Sequence, residues 1–378
     1  MKSDSAVQNS VKGQNASEAP PPARGVKTWT IAVLGGDGIG PEVMAEGLKV
    51  LRAVEQRLHG VRFAFTEVSV GARQFLKSGN PLPESAYAAC RAADAILLAA
   101  MGLPDVRWPD GKELTPQIDL REKLDLYCGV RPITLFHAQD TPLKGFLGGA
   151  IDLAIVREST EGLFSARRAR SNGGESCSDT LWISRRGSER IFRAAFELAR
   201  CRRRHLTLVD KANVLPSMVF FRQIFDQVAK AYPDVATDRI YVDAASLYLL
   251  RRPESFDVIV TENMFGDILS DLAAGLVGGM GMAPSADIGD RYAVFQPAHG
   301  SAPDIAGKGI ANPVAMILSV AMMLEWLKHP ELLRGAAMIR QAVTSVLSKP
   351  ENRTPDLRGR LSTQALGDLI VAALDRKP

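Results

Sequence analysis

The fold of this chain is decided by the stretch from Phe256 to Leu276, which reads FDVIVTENMFGDILSDLAAGL. Its first apolar run, from Val258 to Thr261, predicts a short buried strand. The apolar residues that follow recur every three or four positions, which predicts a helix that begins directly after the strand. We therefore expect a strand–helix unit around which the rest of the chain is organised.

Two carboxylates of that helix, Asp267 and Asp271, are four residues apart and project from one face. Like charges at this spacing repel each other by a few tenths of a kcal/mol, so a cationic group should lie between them. A hard divalent ion with oxygen ligands, Mg²⁺ or Mn²⁺, is the natural candidate. A lone D-x-x-x-D pair is more often a solvated helix face. The apolar neighbours of this pair, however, indicate a half-buried helix, where unpaired carboxylates are harder to place.

Strands and helices alternate in the first hundred residues, which predicts an α/β fold with much parallel sheet. The first strand, from Thr28 to Leu34, is followed by the loop GGDGIGPE and an amphipathic helix. This is the order of a nucleotide-binding loop, and Ile39 and Gly40 could approach a cofactor. The spacing G-x-G-x-x-G is absent, so the loop does not indicate a Rossmann fold.

The composition of the chain limits the classes of protein to which it can belong. With 378 residues and 46% hydrophobic content, the chain can bury a large core in two domains or one large one. A net charge of +4 does not favour nucleic acid, and the longest apolar run, residues 314–324, is too short to span a membrane. The four cysteines form no C-x-x-C pair, so we expect free thiols in a reducing, cytoplasmic environment. Residues 1–28 are polar and proline-rich and are expected to form a disordered tail.

Three arginines lie at the ends of predicted elements: Arg121, Arg131 and Arg157. Guanidinium groups bind carboxylates with two parallel hydrogen bonds, so the three can form a clamp for a di- or tricarboxylate. Ordinary surface ion pairing is the alternative that spacing alone leaves open. The following excursion, residues 165–186, is rich in arginine, serine and glycine, and its basic residues, Arg167 among them, are expected to be solvated.

Two further strand ends carry polar side chains. Lys211, beside Asn213, follows a short strand and is either a structural cation or a general base. Asp243 is expected at the end of a strand from Ile240, where it would complete a set of three oxygen ligands with Asp267 and Asp271.

The segment FQPAHGSAPDIAGKGIANP is rich in small residues that let the backbone approach a ligand closely. Its acid, Asp304, can bind ribose hydroxyls and would repel a 2′-phosphate.

Several of these motifs together resemble the β-decarboxylating dehydrogenases, the family of isocitrate, 3-isopropylmalate, homoisocitrate, tartrate and D-malate dehydrogenases. They are GDGIGPEV, the arginine series, DKANVLP, FGDILSDLAAGL and HGSAPDIAGKGIANP, and the resemblance runs from about Thr28 to the C-terminus. It implies a two-domain α/β fold with a large mixed sheet that is not a Rossmann fold. Residues 29–126 and 278–378 would form the cofactor-binding domain, and residues 127–277 an inserted domain for substrate, metal and dimerisation.

The resemblance also implies roles for particular residues in a homodimer with shared active sites. Lys211, as general base, and Asp243 would be catalytic and reach in from the partner subunit. Arg121, Arg131 and Arg157, with Asn213, would bind the substrate. Asp243, Asp267 and Asp271 would bind Mg²⁺ or Mn²⁺. The cofactor would be held by Ile39, Thr115, His299, Gly300, Ser301, Ala302, Asp304, Ile305 and Asn312, and the acid at position 304 favours NAD over NADP.

The function that follows is NAD- and metal-dependent oxidative decarboxylation of a 2-hydroxy diacid, a 3-substituted (R)-malate. The best single label is 3-isopropylmalate, and tartrate, D-malate or another 3-alkylmalate is the alternative. Ile118 can face an apolar substituent, whereas Gln117 and Asp119 suggest a more polar one. Phe164 stands where the family commonly has a tyrosine that assists protonation of the enol, and phenylalanine cannot donate a proton. A non-catalytic family member is therefore a second alternative, although the retained Lys211 argues against it.

Overall fold

The structure, a computed structural model, describes residues 25–167 and 174–375. Most of the predicted tail, together with Arg168 and Arg170 of the excursion, therefore lies outside the described residues. The boundary of the tail was placed too late, because Lys27 and Thr28 already belong to the first strand.

The described residues contain a single sheet of ten strands. The strands are β1 (Lys27–Gly36), β2 (Val61–Glu67), β3 (Ala95–Ala100), β4 (Cys128–Thr134), β5 (Asp152–Glu158), β6 (His205–Asp210), β7 (Ala236–Tyr241), β8 (Val258–Thr261), β9 (Pro284–Ile288) and β10 (Ala293–Pro297). Their order across the sheet is β2-β1-β3-β10-β9-β4-β5-β8-β6-β7. Strand β9 runs antiparallel to both of its neighbours, and β4 runs antiparallel to β5, whereas the outer strands on both sides are parallel. The predicted mixed α/β fold is confirmed.

Eleven α-helices within the described residues cover the sheet. They are α1 (Gly40–Glu55), α2 (Ala72–Ser78), α3 (Glu84–Ala92), α4 (Pro116–Lys123), α5 (Arg185–Arg200), α6 (Pro216–Ala229), α7 (Val242–Arg251), α8 (Asn263–Gly275), α9 (Val314–Trp326), α10 (Pro330–Leu347) and α11 (Thr363–Ala373). Helix α9 is buried almost throughout, as its unbroken apolar sequence predicts. Within the two described ranges, no helix combines the length and the apolar character that a membrane crossing requires.

The strand order separates two parts of the chain. Strands β1, β2, β3, β9 and β10 come from the two ends of the sequence and lie on one side, whereas β4 to β8 come from the middle and lie on the other. Separate apolar clusters pack on the two halves. This arrangement is the one that an inserted middle domain would give, and the division at residues 126 and 278 stays a prediction.

Asp243 lies in a different element from the one predicted. Strand β7 ends at Tyr241, and Asp243 falls in the first turn of α7 instead of at a strand end. A carboxylate is favourable there, because the N-terminal turn of a helix carries unpaired N–H groups and a partial positive charge.

Candidate active site

Helix α8 and strand β5 form the frame of the site. The Glu262 carboxylate caps α8 by accepting hydrogen bonds from two backbone amides of the first turn, at 3.1 and 2.7 Å. Arg157, near the end of β5, is in register with Thr261, the last residue of β8, so the first turn of α8 lies over it. Gly266 makes this possible, since a Cβ atom there would lie 2.7 Å from the Arg157 Cβ. The predicted strand–helix unit therefore carries the site.

The three predicted clamp arginines, Arg121, Arg131 and Arg157, line one cavity of about 240 Å³. We call them the arginine clamp. The cavity lies between the carboxyl end of β3, helix α4 and the segment after β10, and its wall also includes Phe164, Asp267 and His299. Ligands of α/β sheets bind at the carboxyl ends of strands. A cavity with three guanidinium groups at this position suits a small organic anion.

Arg157 is the most deeply buried member of the clamp, with 2% of its surface exposed. Its Nε donates to the Asn263 Oδ1 at 2.8 Å, and its terminal nitrogen donates to the Asp267 carboxylate. The Phe164 ring centre lies 5.0 Å from its Cζ. Burial, followed by the positive charge of Arg121, lowers the pKa of Arg157 to about 10. Burial thus makes the charged form of Arg157 costly, and an anionic ligand beside it would favour that form.

The acid pair on α8 is matched to the clamp. Arg131 donates to Asp271 at 3.1 Å and to Asp267 at 3.5 Å, and it also donates to the Ser270 hydroxyl at 2.7 Å. The cationic group predicted between the two carboxylates is thus a guanidinium in this structure. Burial raises the pKa of Asp271. One carboxylate oxygen on each aspartate accepts no hydrogen bond from the described residues, so the pair fits two ligand positions of a hard cation.

Arg121 has a partner that the sequence did not predict. It donates to the Asp287 carboxylate at 3.0 Å, and Gln296 donates to the same carboxylate at 2.8 Å. Both members of the ion pair are buried, with 6% and 4% exposed. The Nε of Arg121 is buried and has no hydrogen-bond partner among the described residues. The only signal for Asp287 in the sequence is a carboxylate within the otherwise small and apolar strand β9.

Lys211 and Asp243 form a separate pair. The Lys211 ammonium donates to the Asp243 carboxylate at 2.7 Å, and this hydrogen bond lowers the pKa of Asp243. Neither residue lines the cavity of the arginine clamp, and Asn213 is exposed beside them. In residues 25–167 and 174–375 of one chain, no group of three or more histidine, cysteine or acidic side chains is arranged to hold a metal. A single chain therefore brings together two of the three predicted metal ligands.

The two glycine-rich segments predicted to bind a cofactor contact each other. The Ile39 amide donates to the Ser301 carbonyl at 2.8 Å. Gly38 has a φ of +57°, and a Cβ atom there would lie 1.9 Å from that same carbonyl oxygen, so only glycine fits. Ala302 also has a positive φ, of 38°, which is costly for a residue with a side chain and indicates a constrained loop.

The remaining predicted cofactor residues surround this contact. His299 and Gly300 line the clamp cavity, and burial lowers the pKa of His299. Asn312 is buried and donates to Asp356 at 3.1 Å, which fixes the end of the loop. Ile305 packs against the core, whereas Asp304 is exposed. The loop thus presents an acid and a largely uncovered backbone surface, which suit a ribose and a nearby pyrophosphate.

Thr115, the last predicted cofactor residue, lies at the start of α4 and contacts a residue whose role was predicted wrongly. Arg167 donates to Asp119 at 2.7 Å, to Glu122 at 2.8 Å and to the Thr115 hydroxyl at 3.2 Å. It is therefore engaged rather than solvated. It ties residues 159–167, which we call the Phe164 loop, to the helix that carries Arg121.

A mixed α/β sheet with an arginine-lined cavity at its strand ends, beside an acid pair on a helix, is typical of enzymes that act on small organic anions. The comparisons with known proteins give the family. The model of the isocitrate/isopropylmalate dehydrogenase family matches residues 30–370. The 3-isopropylmalate dehydrogenase of Moorella thermoacetica is 46% identical over 359 residues, covering 92% of this chain and 98% of the relative. That of Aquifex aeolicus is 42% identical over 364 residues, covering 93% and 98%.

Solved structures agree with the sequence relatives. Isocitrate dehydrogenase from Methylococcus capsulatus superposes with a TM-score of 0.82 at 38% identity, covering 92% of this chain and 100% of that one. A β-decarboxylating dehydrogenase from Thermococcus kodakarensis superposes with a TM-score of 0.76 at 38% identity, covering 92% and 96%. The chain belongs to the isocitrate/isopropylmalate dehydrogenase family and is an oxidoreductase. The family predicted from the motifs is confirmed.

Proposed function

We propose that this protein catalyses the NAD-dependent oxidative decarboxylation of a 3-substituted (R)-malate, best represented by 3-isopropylmalate, with Mg²⁺ or Mn²⁺ bound at the acid pair of α8. The observation that carries the proposal is the convergence of Arg121, Arg131 and Arg157 on one cavity beside Asp267 and Asp271. Relatives named 3-isopropylmalate dehydrogenase, 42% and 46% identical over more than nine tenths of the chain, support the choice of substrate.

The clamp binds and orients the diacid. Arg121, Arg131 and Arg157 line the cavity, so two substrate carboxylates would gain charged hydrogen bonds there that water would otherwise supply. Fixing both carboxylates leaves the C2–H bond pointing in one direction, which removes much of the entropic cost of hydride transfer. A bound nicotinamide would accept that hydride. A divalent cation at the aspartates would supply positive charge for the enolate that remains after CO₂ leaves.

Phe164 changes the last step. Its ring covers one face of the Arg157 guanidinium, but it has no proton to give to the enol. We propose that water or another group donates this proton. The apolar ring has a second consequence, because Phe164 and Ile118 line both the clamp cavity and a larger adjoining groove of about 950 Å³. Two apolar side chains at the junction favour an alkyl substituent at substrate C3 over the hydroxyl of tartrate.

We propose NAD as the cofactor because Asp304 is exposed on the glycine-rich loop. A carboxylate there can accept hydrogen bonds from ribose hydroxyls and repels the 2′-phosphate of NADP. Ile39, Ser301 and Asn312 would support the loop from below through their backbone and amide contacts.

We propose a homodimer in which Lys211 and Asp243 complete the site of the partner. In one chain the two residues pair with each other away from the clamp. Leu247 and Leu250 of α7 and Ile268 of α8 are 52%, 46% and 57% exposed, on helices that contact each other. Large apolar side chains exposed on neighbouring helices are typical of a subunit interface. With Lys211 delivered to the substrate hydroxyl as general base, each site would have a proton acceptor and a third carboxylate ligand.

Free thiols support the predicted cytoplasmic location. The cysteines at positions 90, 128, 177 and 201 form no disulfide. Such thiols are usual where glutathione keeps the compartment reducing.

A substrate panel tests the proposal. The purified protein is incubated with Mn²⁺ and either NAD or NADP, and NADH or NADPH formation is followed with 3-isopropylmalate, D-malate, tartrate and isocitrate. We expect the highest kcat/KM with NAD and 3-isopropylmalate, and loss of turnover when a chelator removes the metal. A preference for tartrate or D-malate would move the substrate to the alternative group. No reduced cofactor from any 2-hydroxy diacid would contradict the proposal and favour the non-catalytic family member that Phe164 suggests.

A further inference from the structure

Asn263, the first residue of α8, contacts both the arginine clamp and the Phe164 loop. Its Oδ1 accepts a hydrogen bond from the Arg157 Nε at 2.8 Å, and its Nδ2 donates to the Glu161 carbonyl at 2.8 Å. A guanidinium can only donate and a carbonyl can only accept, so the orientation of the amide is fixed by its two partners. One side chain therefore connects the deepest substrate-facing arginine to the loop that covers it.

The two hydrogen bonds of Asn263 restrain Arg157 and the Phe164 loop in ways that the neighbouring contacts do not. Asp267 accepts a hydrogen bond from one terminal nitrogen of Arg157. The contact at the Nε therefore determines how the rest of the guanidinium is rotated. Asn263 is 1% exposed and Arg157 2% exposed, so the amide separates the Nε from bulk water. An unpaired buried donor on a charged group is costly, and the side chain would rotate to find another acceptor.

The loop depends on the same amide. Residues 159–167 carry Phe164, whose ring lies 5.0 Å from the Arg157 Cζ. The loop has further ties: the Gly162 amide donates to the Trp182 carbonyl at 2.8 Å, the Ser184 amide donates to the Glu161 carboxylate at 2.8 Å, and Arg167 holds its far end to α4. On the side of α8, the Asn263–Glu161 hydrogen bond sets the distance between the Phe164 loop and the arginine clamp.

We infer that Asn263 is a positioning residue that sets the Arg157 guanidinium for a substrate carboxylate and holds the Phe164 ring over it. The inference rests on the proposed function, because the carboxylate is that of the 2-hydroxy diacid. Asn263 is buried beneath the clamp and does not line the cavity, so it acts through Arg157 and the loop.

Two variants and a control test the inference. Asn263→Ala removes both hydrogen bonds. Asn263→Asp keeps an acceptor for the Arg157 Nε but has no donor for the Glu161 carbonyl. Asn352→Ala is the control, since it removes an asparagine hydrogen bond, from its Nδ2 to the Val346 carbonyl at 3.0 Å, that involves neither the clamp nor the loop. For each protein, KM for the diacid, KM for NAD, diacid affinity by calorimetry and hydrogen exchange of residues 159–167 are measured.

We expect Asn263→Ala to weaken diacid affinity and raise its KM about tenfold or more, the loss typical of a hydrogen bond to a charged group, with KM for NAD unchanged. Both Asn263 variants should exchange the loop amides about tenfold faster, because each lacks the hydrogen bond to Glu161. Asn352→Ala should lower the thermal midpoint without changing diacid KM or loop exchange. A folded Asn263→Ala protein with wild-type diacid KM would overturn the inference.

If Asn263→Ala does not fold, Asn263→Asp decides by itself, and unchanged loop exchange in that protein overturns the inference. A wild-type protein that binds no diacid contradicts the proposed function instead, and loop exchange in the two variants then still decides whether Asn263 holds the Phe164 loop.

Discussion

Replacing Asp287 by asparagine tests whether the clamp is built for anions. The Asp287 carboxylate neutralises Arg121 at 3.0 Å in a site where both residues are buried. Asparagine has nearly the same shape and still accepts a hydrogen bond, but it leaves the guanidinium without a counter-charge. Breaking a buried pair in this way costs about 3 kcal/mol, the lower end of the usual range, because a neutral acceptor remains.

The size of the effect on thermal stability follows from the length of the chain. At about 2.1 cal/mol/K per residue, unfolding of 378 residues has an entropy near 0.8 kcal/mol/K. A loss of about 3 kcal/mol therefore lowers the midpoint by roughly 4 °C. The same change gives the clamp one more positive charge, which strengthens its attraction for a dianion. The diacid should thus bind Asp287→Asn more tightly than wild type.

The assay is a thermal scan of both proteins at increasing 3-isopropylmalate concentration, with affinity from calorimetry. Asp140→Asn is the matched control, since Asp140 forms a buried ion pair with Arg353 at 2.8 Å away from the cavity. It should lose similar stability without any gain in affinity. An Asp287→Asn protein as stable as wild type, or one that binds the diacid more weakly, would refute the account of the clamp.

Three further outcomes are expected. Phe164→Tyr places a hydroxyl above the clamp and should increase CO₂ release per NADH formed, measured by coupled assays. An unchanged ratio would mean that the lack of a donor at position 164 does not limit the decarboxylation step. Burial raises the pKa of Glu158 to about 7, so as pH rises the carboxyl ionises first in the unfolded chain, and the free energy of unfolding should fall between about pH 4.5 and 7. Glu158→Gln should remove this pH dependence, measured by denaturation series at pH 5 and 8. If the pH dependence persists in the variant, Glu158 is not its source. Arg157→Gln and Lys211→Met should each be inactive. If sites are shared, an equal mixture of the two variants should recover roughly a quarter of wild-type activity, since half of the dimers then contain one chain of each kind and one intact site. No recovery would place Lys211 outside the partner's site.

Local sequence patterns predicted the elements of the site well. The apolar run at Val258 and the helical spacing behind it determine the strand–helix unit, because burial of one face is enough to select these structures. The positions of Asp267 and Asp271 on one face follow from helix geometry alone. Their mutual repulsion led us to expect a cationic neighbour, with a divalent ion as the candidate; Arg131 of the chain itself contacts both carboxylates, and the ion stays a prediction.

Partners across the sheet could not be predicted in the same way. Arg121, on α4, and Asp287, on β9, are 166 positions apart and meet only through the tertiary fold, which no local period encodes. The contact of Arg167 with α4 has the same origin. Asp243 was misplaced by a smaller margin, since a strand end and the first turn of a following helix differ by two residues and both accept a carboxylate.

The most direct test of the central claim is a calorimetric titration of the protein with Mn²⁺ in the presence of 3-isopropylmalate, for wild type and for Asp271→Asn. If α8 and the clamp form one site for a metal and a diacid, wild type should take up one Mn²⁺ per subunit, more tightly with the diacid than without it, and the variant should lose most of this affinity. Equal Mn²⁺ binding by the two proteins, or no uptake by wild type even with the diacid present, would contradict the account.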